Sequence, residues 1–175
     1  IRQRLLDCDF KNSTEALLST LKEDIDVVFI YELNKPDLLK QALIAAEKGV
    51  LVLACMHTGD TIQAIEELTG IMPEKDREYM SDLLTTNLKV IISQKLLPNK
   101  EGAGFVPAIE VFMETFNLSR VIKDGKIELI GSIINENSEL GMQSFDNSIL
   151  ALLKEGKIST EIALNSIKDK SLLEN

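Results

Sequence analysis

Two cysteines, Cys8 and Cys55, and one histidine, His57, are the whole supply of thiol and imidazole groups in this chain of 175 residues. Two thiols are too few for a disulfide framework or a four-cysteine zinc site, and they fit a reducing compartment in which both are ordinary small residues. Positive charge is also short. Against 28 Asp and Glu stand 19 Lys and Arg, for a formal net charge of -9 and a pI near 4.7. Affinity for a nucleic-acid backbone rests on Lys and Arg neutralising phosphates, so no nucleic-acid partner is expected, although a nucleotide can still be held locally. No apolar run approaches the roughly 20 residues that span a bilayer, and no signal-peptide pattern opens the chain. The expected location is therefore the cytoplasm, with no transmembrane segment.

What is present is a hydrophobic content of 45%, enough to bury one sizeable core with a small appended bundle. The sequence opens on Ile1, in a charged stretch, and reads as a piece of a longer protein.

The run from Asp26 to Glu32 is β-branched and aromatic and stops on an acid, the pattern of a buried strand. Val27, Phe29 and Tyr31 share one face; Val28, Ile30 and Glu32 share the other. Pro36 pre-sets a helical turn, Leu39, Ala42, Leu43 and Ala46 follow at helical spacing, and Gly49 is placed to end the helix. Val50 to Met56 is a second continuous apolar run, suited to a strand covered on both faces. Together they form a βαβ unit with parallel strands. The second strand ends on His57-Thr58-Gly59-Asp60, where Asp60 or Thr61 can cap a helix carrying Ile62, Ile65 and Leu68. Glu32 and His57 thus stand at equivalent carboxyl ends, the edge at which open α/β sheets bind ligands and at which a polyphosphate could lie. On pattern alone, Glu32 also fits a strand that simply exits into solvent, and His57 fits a satisfied histidine beside a helix cap.

Upstream, Asn12 to Glu15 resembles a capping box leading into a stripe of Ala16, Leu17, Leu18 and Leu21. Downstream, Pro73 opens a helix carrying Met80, Leu83 and Leu84. Val90–Leu97 and Phe105–Met113 read as a hairpin joined by a turn over 98–104. Gly102-Ala103-Gly104 is no phosphate loop, because it lacks the Lys and Ser/Thr and does not lead into a helix. From Thr115 the chain turns to short helices, with Ser144 and Ser159 as caps and Phe145, Ile149, Leu152 and Leu153 as a core-facing stripe. The tail from Lys168 is polar and is expected to fray. The division expected is 1–113, an α/β core, and 114–175, a helical subdomain.

Taken in order, Gln3-Arg4, Asp9, Ala16-Leu17, Leu21-Lys22-Glu23-Asp24, Asp26-Val27, Glu32, Ala45-Ala46-Glu47 with Gly49, and Leu51-Val52 form one spaced series. His57-Thr58, Pro73, Ile92-Ser93-Gln94, Leu96-Leu97-Pro98 and Leu140-Gly141-Met142-Gln143 continue it. In order and spacing they resemble the C-terminal half of the PilT-like pilus-retraction ATPases of the type II/IV secretion ATPase superfamily. The resemblance implies part of a RecA-like P-loop NTPase core followed by the helical subdomain. It also implies a cytoplasmic hexameric ring, peripheral to the inner membrane, that hydrolyses ATP against the pilus base to drive retraction and twitching motility. Under it, Glu32 is the Walker B acid that orders Mg²⁺ through water, His57 is the His-box histidine near the γ-phosphate, and Thr58 joins them in holding the nucleotide.

The departures count as well. The P-loop and the family's acidic box are absent from the sequence, so ATP and Mg²⁺ are expected only with an upstream half. The chain alone is expected to be inactive. Tyr31 stands where relatives carry glycine, and Asn34, Glu67, Ser81 and Ser119 stand where they commonly carry arginine; Arg120 is one residue displaced. These changes leave open a non-catalytic or regulatory paralogue of the ring. The assembly or secretion branch, whose members often insert a four-cysteine module, is disfavoured by the two distant cysteines.

Overall fold

The computed structural model describes residues 2–5, 7–114 and 118–173. Thr115, where the sequence changes to short helices, lies outside them. Contacts divide the chain into two units, one of Ile1–His57 with Glu66–Leu88, the other of Thr58–Ile65 with Lys89–Asn175.

In the first unit, α1 (Ser13–Thr20) starts where the Asn12 side chain accepts a hydrogen bond from the Thr14 N–H at 2.9 Å, a local turn rather than the reciprocal box expected with Glu15. β1 (Val27–Ile30) and β2 (Leu51–Ala54) pair in parallel, Val27 opposite Leu51 and Ile30 opposite Ala54. The crossover is α2 (Pro36–Glu47), with Pro36 in its first turn, where a missing N–H costs nothing. Gly49 leaves the helix at φ +93°, a conformation that only glycine adopts freely. Leu38, Leu39, Ala42, Leu43 and Ala45 of α2 are buried, and α2 packs against α1, β2 and α4 (Arg77–Asn87). Pro73 does not open α4 directly; a 3₁₀ turn, Glu74–Asp76, intervenes.

Two expectations for the strands fail. Both are four residues long, so Glu32 lies two residues beyond β1 instead of within it. Nor are they covered on both faces: Val27, Phe29, Tyr31, Leu51 and Leu53 are 51%, 61%, 76%, 54% and 48% exposed. Only the face of Val28, Ile30 and Val52 is half-buried. Both runs are apolar as expected, but among the described residues of this unit nothing covers the second face of the two-stranded sheet.

In the second unit, β3 (Val90–Pro98) and β4 (Phe105–Met113) pair antiparallel from Val90 opposite Met113 to Pro98 opposite Phe105. The intervening turn is closed by Asn99, whose side-chain oxygen accepts the Ala103 N–H at 3.0 Å, with Gly102 at φ +72°. α5 (Leu118–Lys123) and α6 (Ile130–Glu136) follow, then α7 (Phe145–Lys154) and α8 (Thr160–Ser166). Ser144 and Ser159 cap the last two, accepting from the Asn147 and Ile162 N–H groups. Leu97 and Ala108 of the hairpin share a core with Phe145, Ile149, Leu152, Ile158 and Ala163.

The free edge of β4 would present unpaired N–H and C=O groups. Gln143 takes them: its N–H and C=O exchange bonds with Val111 at 3.0 and 2.8 Å, and its Nε2 donates to the Ile109 carbonyl at 2.8 Å. Ser148 Oγ accepts the Ile109 N–H at 2.9 Å. The tail does not fray at Lys168. The Lys168 and Asp169 N–H groups donate to the Asp146 carboxylate at 2.9 and 3.0 Å, and a 3₁₀ turn follows over Lys170–Leu173. The polar composition suggested disorder, but main-chain hydrogen bonding to a distant acid holds the segment.

Candidate functional site

β1 and β2 are neighbours and parallel, so the residues just past Ile30 and Ala54 leave the sheet at one edge. The pairing persists beyond both strands: the Cys55 N–H donates to the Ile30 carbonyl at 3.0 Å, and the Leu33 N–H donates to the Cys55 carbonyl at 2.9 Å. The second bond is shifted by one residue from the strand register, and Glu32 and His57 follow two and three residues past the carboxyl ends of the two neighbouring strands. Both side chains are exposed.

Asn34 donates from Nδ2 to Glu32 Oε1 at 2.7 Å. Asn34, which the resemblance sets at the place of an arginine, thus occupies one oxygen of the acid. Among the described residues Oε2 has no partner and is free for a water or a cation. No group of three His, Cys, Asp or Glu converges on a point among the described residues. One free carboxylate oxygen at a sheet edge suits outer-sphere contact with Mg²⁺, a cation that keeps several waters and otherwise takes phosphate oxygens. It is not a cage that would hold the ion alone. Tyr31, directly before Glu32, is 76% exposed.

The other substituted positions divide by burial. Ser81 is buried and its hydroxyl donates to the Met72 sulfur at 3.6 Å. Glu67 and Arg120 are exposed, and Arg120 pairs with Asp124 at 3.6 Å, one helical turn on.

Thr58 opens the second unit, half-buried, directly before the turn into α3 (Thr61–Gly70). Asp60 is the cap: its Oδ1 accepts the Gln63 N–H at 3.0 Å, and Gln63 Oε1 accepts the Gly59 N–H at 2.9 Å. Lys168 Nζ reaches Asp60 Oδ2 at 3.1 Å. The Thr61 N–H donates to Glu110 Oε1 at 2.9 Å. Neither Lys168 nor Glu110 was singled out from the sequence. Glu110 had a signal, because alternation along β4 puts it on the same inward face as Ala108 and Phe112, where an acid needs a donor.

Burial works against the charged form of Asp60, but the Gln63 N–H and the Lys168 ammonium outweigh it and hold the carboxyl below its ordinary range. A folded pKa below the unfolded value, near 3.9, gives stability that is complete above that value and is lost as pH falls through the folded one. Asp60→Ala should therefore cost about 0.5–2 kcal/mol at neutral pH, the worth of a helix cap. In urea titrations the gap from wild type should narrow below about pH 4. A gap that stays constant down to about pH 2.5 would assign it to lost packing rather than to the charged cap.

Residues 6–119 match the family described as Type II/IV secretion system protein. A "Twitching motility protein" of Neisseria gonorrhoeae is 32% identical over 163 residues, covering 93% of this chain and 44% of that protein. The "Type IV pilus retractation ATPase PilT" of Pseudomonas aeruginosa is 32% identical over 168 residues, 96% of this chain and 48% of its own length. The crystal structure of the pilus retraction motor PilT with bound ADP superposes with a TM-score of 0.83 at 32% identity, over 99% of this chain and 48% of that one. The chain thus spans about half the length of the curated relatives it matches.

Proposed function

The chain belongs to the type II/IV secretion system protein family, and we propose that it is the Walker B and His-box part of a ring-forming ATPase that retracts type IV pili. Its fold is the C-terminal part of a RecA-like ATPase core. The observation that carries the reading is the placement of Glu32 and His57 at the carboxyl ends of two neighbouring parallel strands. There Glu32, with Oε2 free, would help order the waters of a nucleotide-bound Mg²⁺, and His57 and Thr58 would supply an imidazole and a hydroxyl to the nucleotide phosphates. Bound Mg²⁺ would neutralise charge developing on the transferred phosphoryl group. The remaining parts, the phosphate-cradling loop and the water-activating acid, belong to the half of the relatives that this chain does not match.

The full protein acts as a hexamer on the cytoplasmic side of the pilus base. Docking there is peripheral in this reading, and no helix among the described residues is long and apolar enough to cross a membrane. The proposal demands that the 175-residue chain by itself hold MgATP poorly. Isothermal calorimetry should detect no binding tighter than about 1 mM, against the micromolar-to-millimolar range usual for enzyme substrates. Micromolar MgATP binding by the isolated chain would overturn the assignment of the phosphate-holding groups to the other half.

A further inference from the structure

Apart from the strand-end pair, a densely hydrogen-bonded polar feature of the second unit is the turn from Thr58 to Thr61. Three anchors hold it. Within the turn, Gln63 Oε1 accepts the Gly59 N–H at 2.9 Å while Asp60 Oδ1 accepts the Gln63 N–H at 3.0 Å. A Cβ on Gly59 would lie 2.9 Å from that same Oε1, so a side chain there would push the Gln63 amide aside. From β4, buried Glu110 accepts the Thr61 N–H at 2.9 Å. From the end of the chain, Lys168 Nζ pairs with Asp60 Oδ2 at 3.1 Å.

The third anchor is unlike the others, because its partner lies 108 residues away in sequence. It is also prepared. Ile167 is buried at 5% exposure, and the next two N–H groups are fixed by Asp146 at 2.9 and 3.0 Å. The main chain at Lys168 is thereby set before its side chain reaches out. The ammonium end is open to solvent, with the lysine side chain 66% exposed, while the Asp60 side chain is 12% exposed. Asp60 thus has one oxygen serving its own helix and the other serving the chain terminus. Release of the lysine leaves a largely buried carboxylate half-satisfied, at the residue that fixes where α3 begins.

We propose that Lys168 is a positioning residue for Thr58: the segment 167–169 is a strap that, through the Lys168–Asp60 ion pair, holds the turn presenting Thr58 to the nucleotide. The inference rests on the nucleotide-side reading of Thr58 given above. The strap works as a tie of modest strength. A partly exposed ion pair shifts a local equilibrium by about two- to fivefold, and the effect weakens with added salt. That is enough to tune how firmly the turn is held without unfolding the unit.

Two measurements test it. In the isolated chain, without nucleotide, amide hydrogen exchange followed by NMR should show the Gly59 N–H exchanging about two- to fivefold faster in Lys168→Met. The amides of α7 should be unchanged, and Lys168→Arg should restore the wild-type rate. Asp60→Asn, which keeps an acceptor for the cap but removes the charge, should reproduce the effect, and adding it to Lys168→Met should give no further increase. In the full-length ATPase, Lys168→Met should raise KM for ATP by a similar two- to fivefold factor with kcat held, and Lys168→Arg should restore it. An unchanged Gly59 rate, or an acceleration shared equally by α7, overturns the strap. Because the exchange measurement uses no nucleotide, its failure is distinguishable from failure of the motor assignment. A normal exchange response with an unmoved KM would overturn the link to Thr58 alone.

Discussion

Glu32→Gln in the full-length protein is expected to lower the ATPase turnover number by about 10²- to 10³-fold, the usual cost of removing one preorganised electrostatic group from a reaction site. The substitution is well isolated. Glutamine keeps the side-chain length and keeps an Oε1 to accept from Asn34, so position is retained and only the charge is lost. The side chain is exposed and outside β1, so stability should change by no more than about 0.5 kcal/mol. Steady-state phosphate release at saturating MgATP gives the number. Because Mg²⁺ reaches Glu32 through water in this reading, the loss should fall on turnover more than on nucleotide affinity. An unchanged rate in a protein that hydrolyses ATP would remove Glu32 from the chemistry. A wild-type protein with no turnover to lose would identify a non-catalytic ring subunit, an outcome consistent with Asn34 tying one oxygen of the acid.

Local chemistry made much of this arrangement readable. Pro36 and Gly49 delimit a helix because one fixes φ and the other escapes the left-handed penalty, and both act within a few residues. Asp60, Ser144 and Ser159 cap for the same local reason. The parallel pairing of β1 with β2 followed from two apolar runs joined by a helix, and it carried Glu32 and His57 to one edge. Long-range partners were not readable. Polar residues after Lys168 look alike whether or not an acid at position 146 awaits their N–H groups. The inward setting of Glu110 follows from alternation, but nothing in the sequence says that the Thr61 N–H will meet it. Burial departs furthest from expectation, with Phe29 and Leu53 exposed. Period and composition report that Phe29 and Leu53 are suited to a covered face, not which polypeptide supplies the cover.

That distinction gives the second large effect, through Phe29→Glu. Phe29 lies opposite Leu53 on the open face of the two-stranded sheet, at 61% and 48% exposure, with Val27 and Leu51 in the next pair. Parallel strands with apolar side chains on both faces are ordinarily buried on both, and a contiguous exposed apolar row marks a surface meant to be covered. The chain spans about half the length of the relatives it matches, and in the proposed motor the additional polypeptide would supply the cover. In the isolated chain, Phe29→Glu should then cost about 1 kcal/mol or less, the strand-propensity difference, and should reduce self-association seen by light scattering. In the full-length protein the same carboxylate would be buried without a partner, and the cost should exceed about 3 kcal/mol in urea or thermal unfolding. Running one substitution in both contexts separates the cover from the intrinsic preference of the strand, because the propensity term is common to both. Equal effects in the two proteins would mean that this face stays open in the full-length molecule, and the sheet of the first unit would then be a surface in its own right.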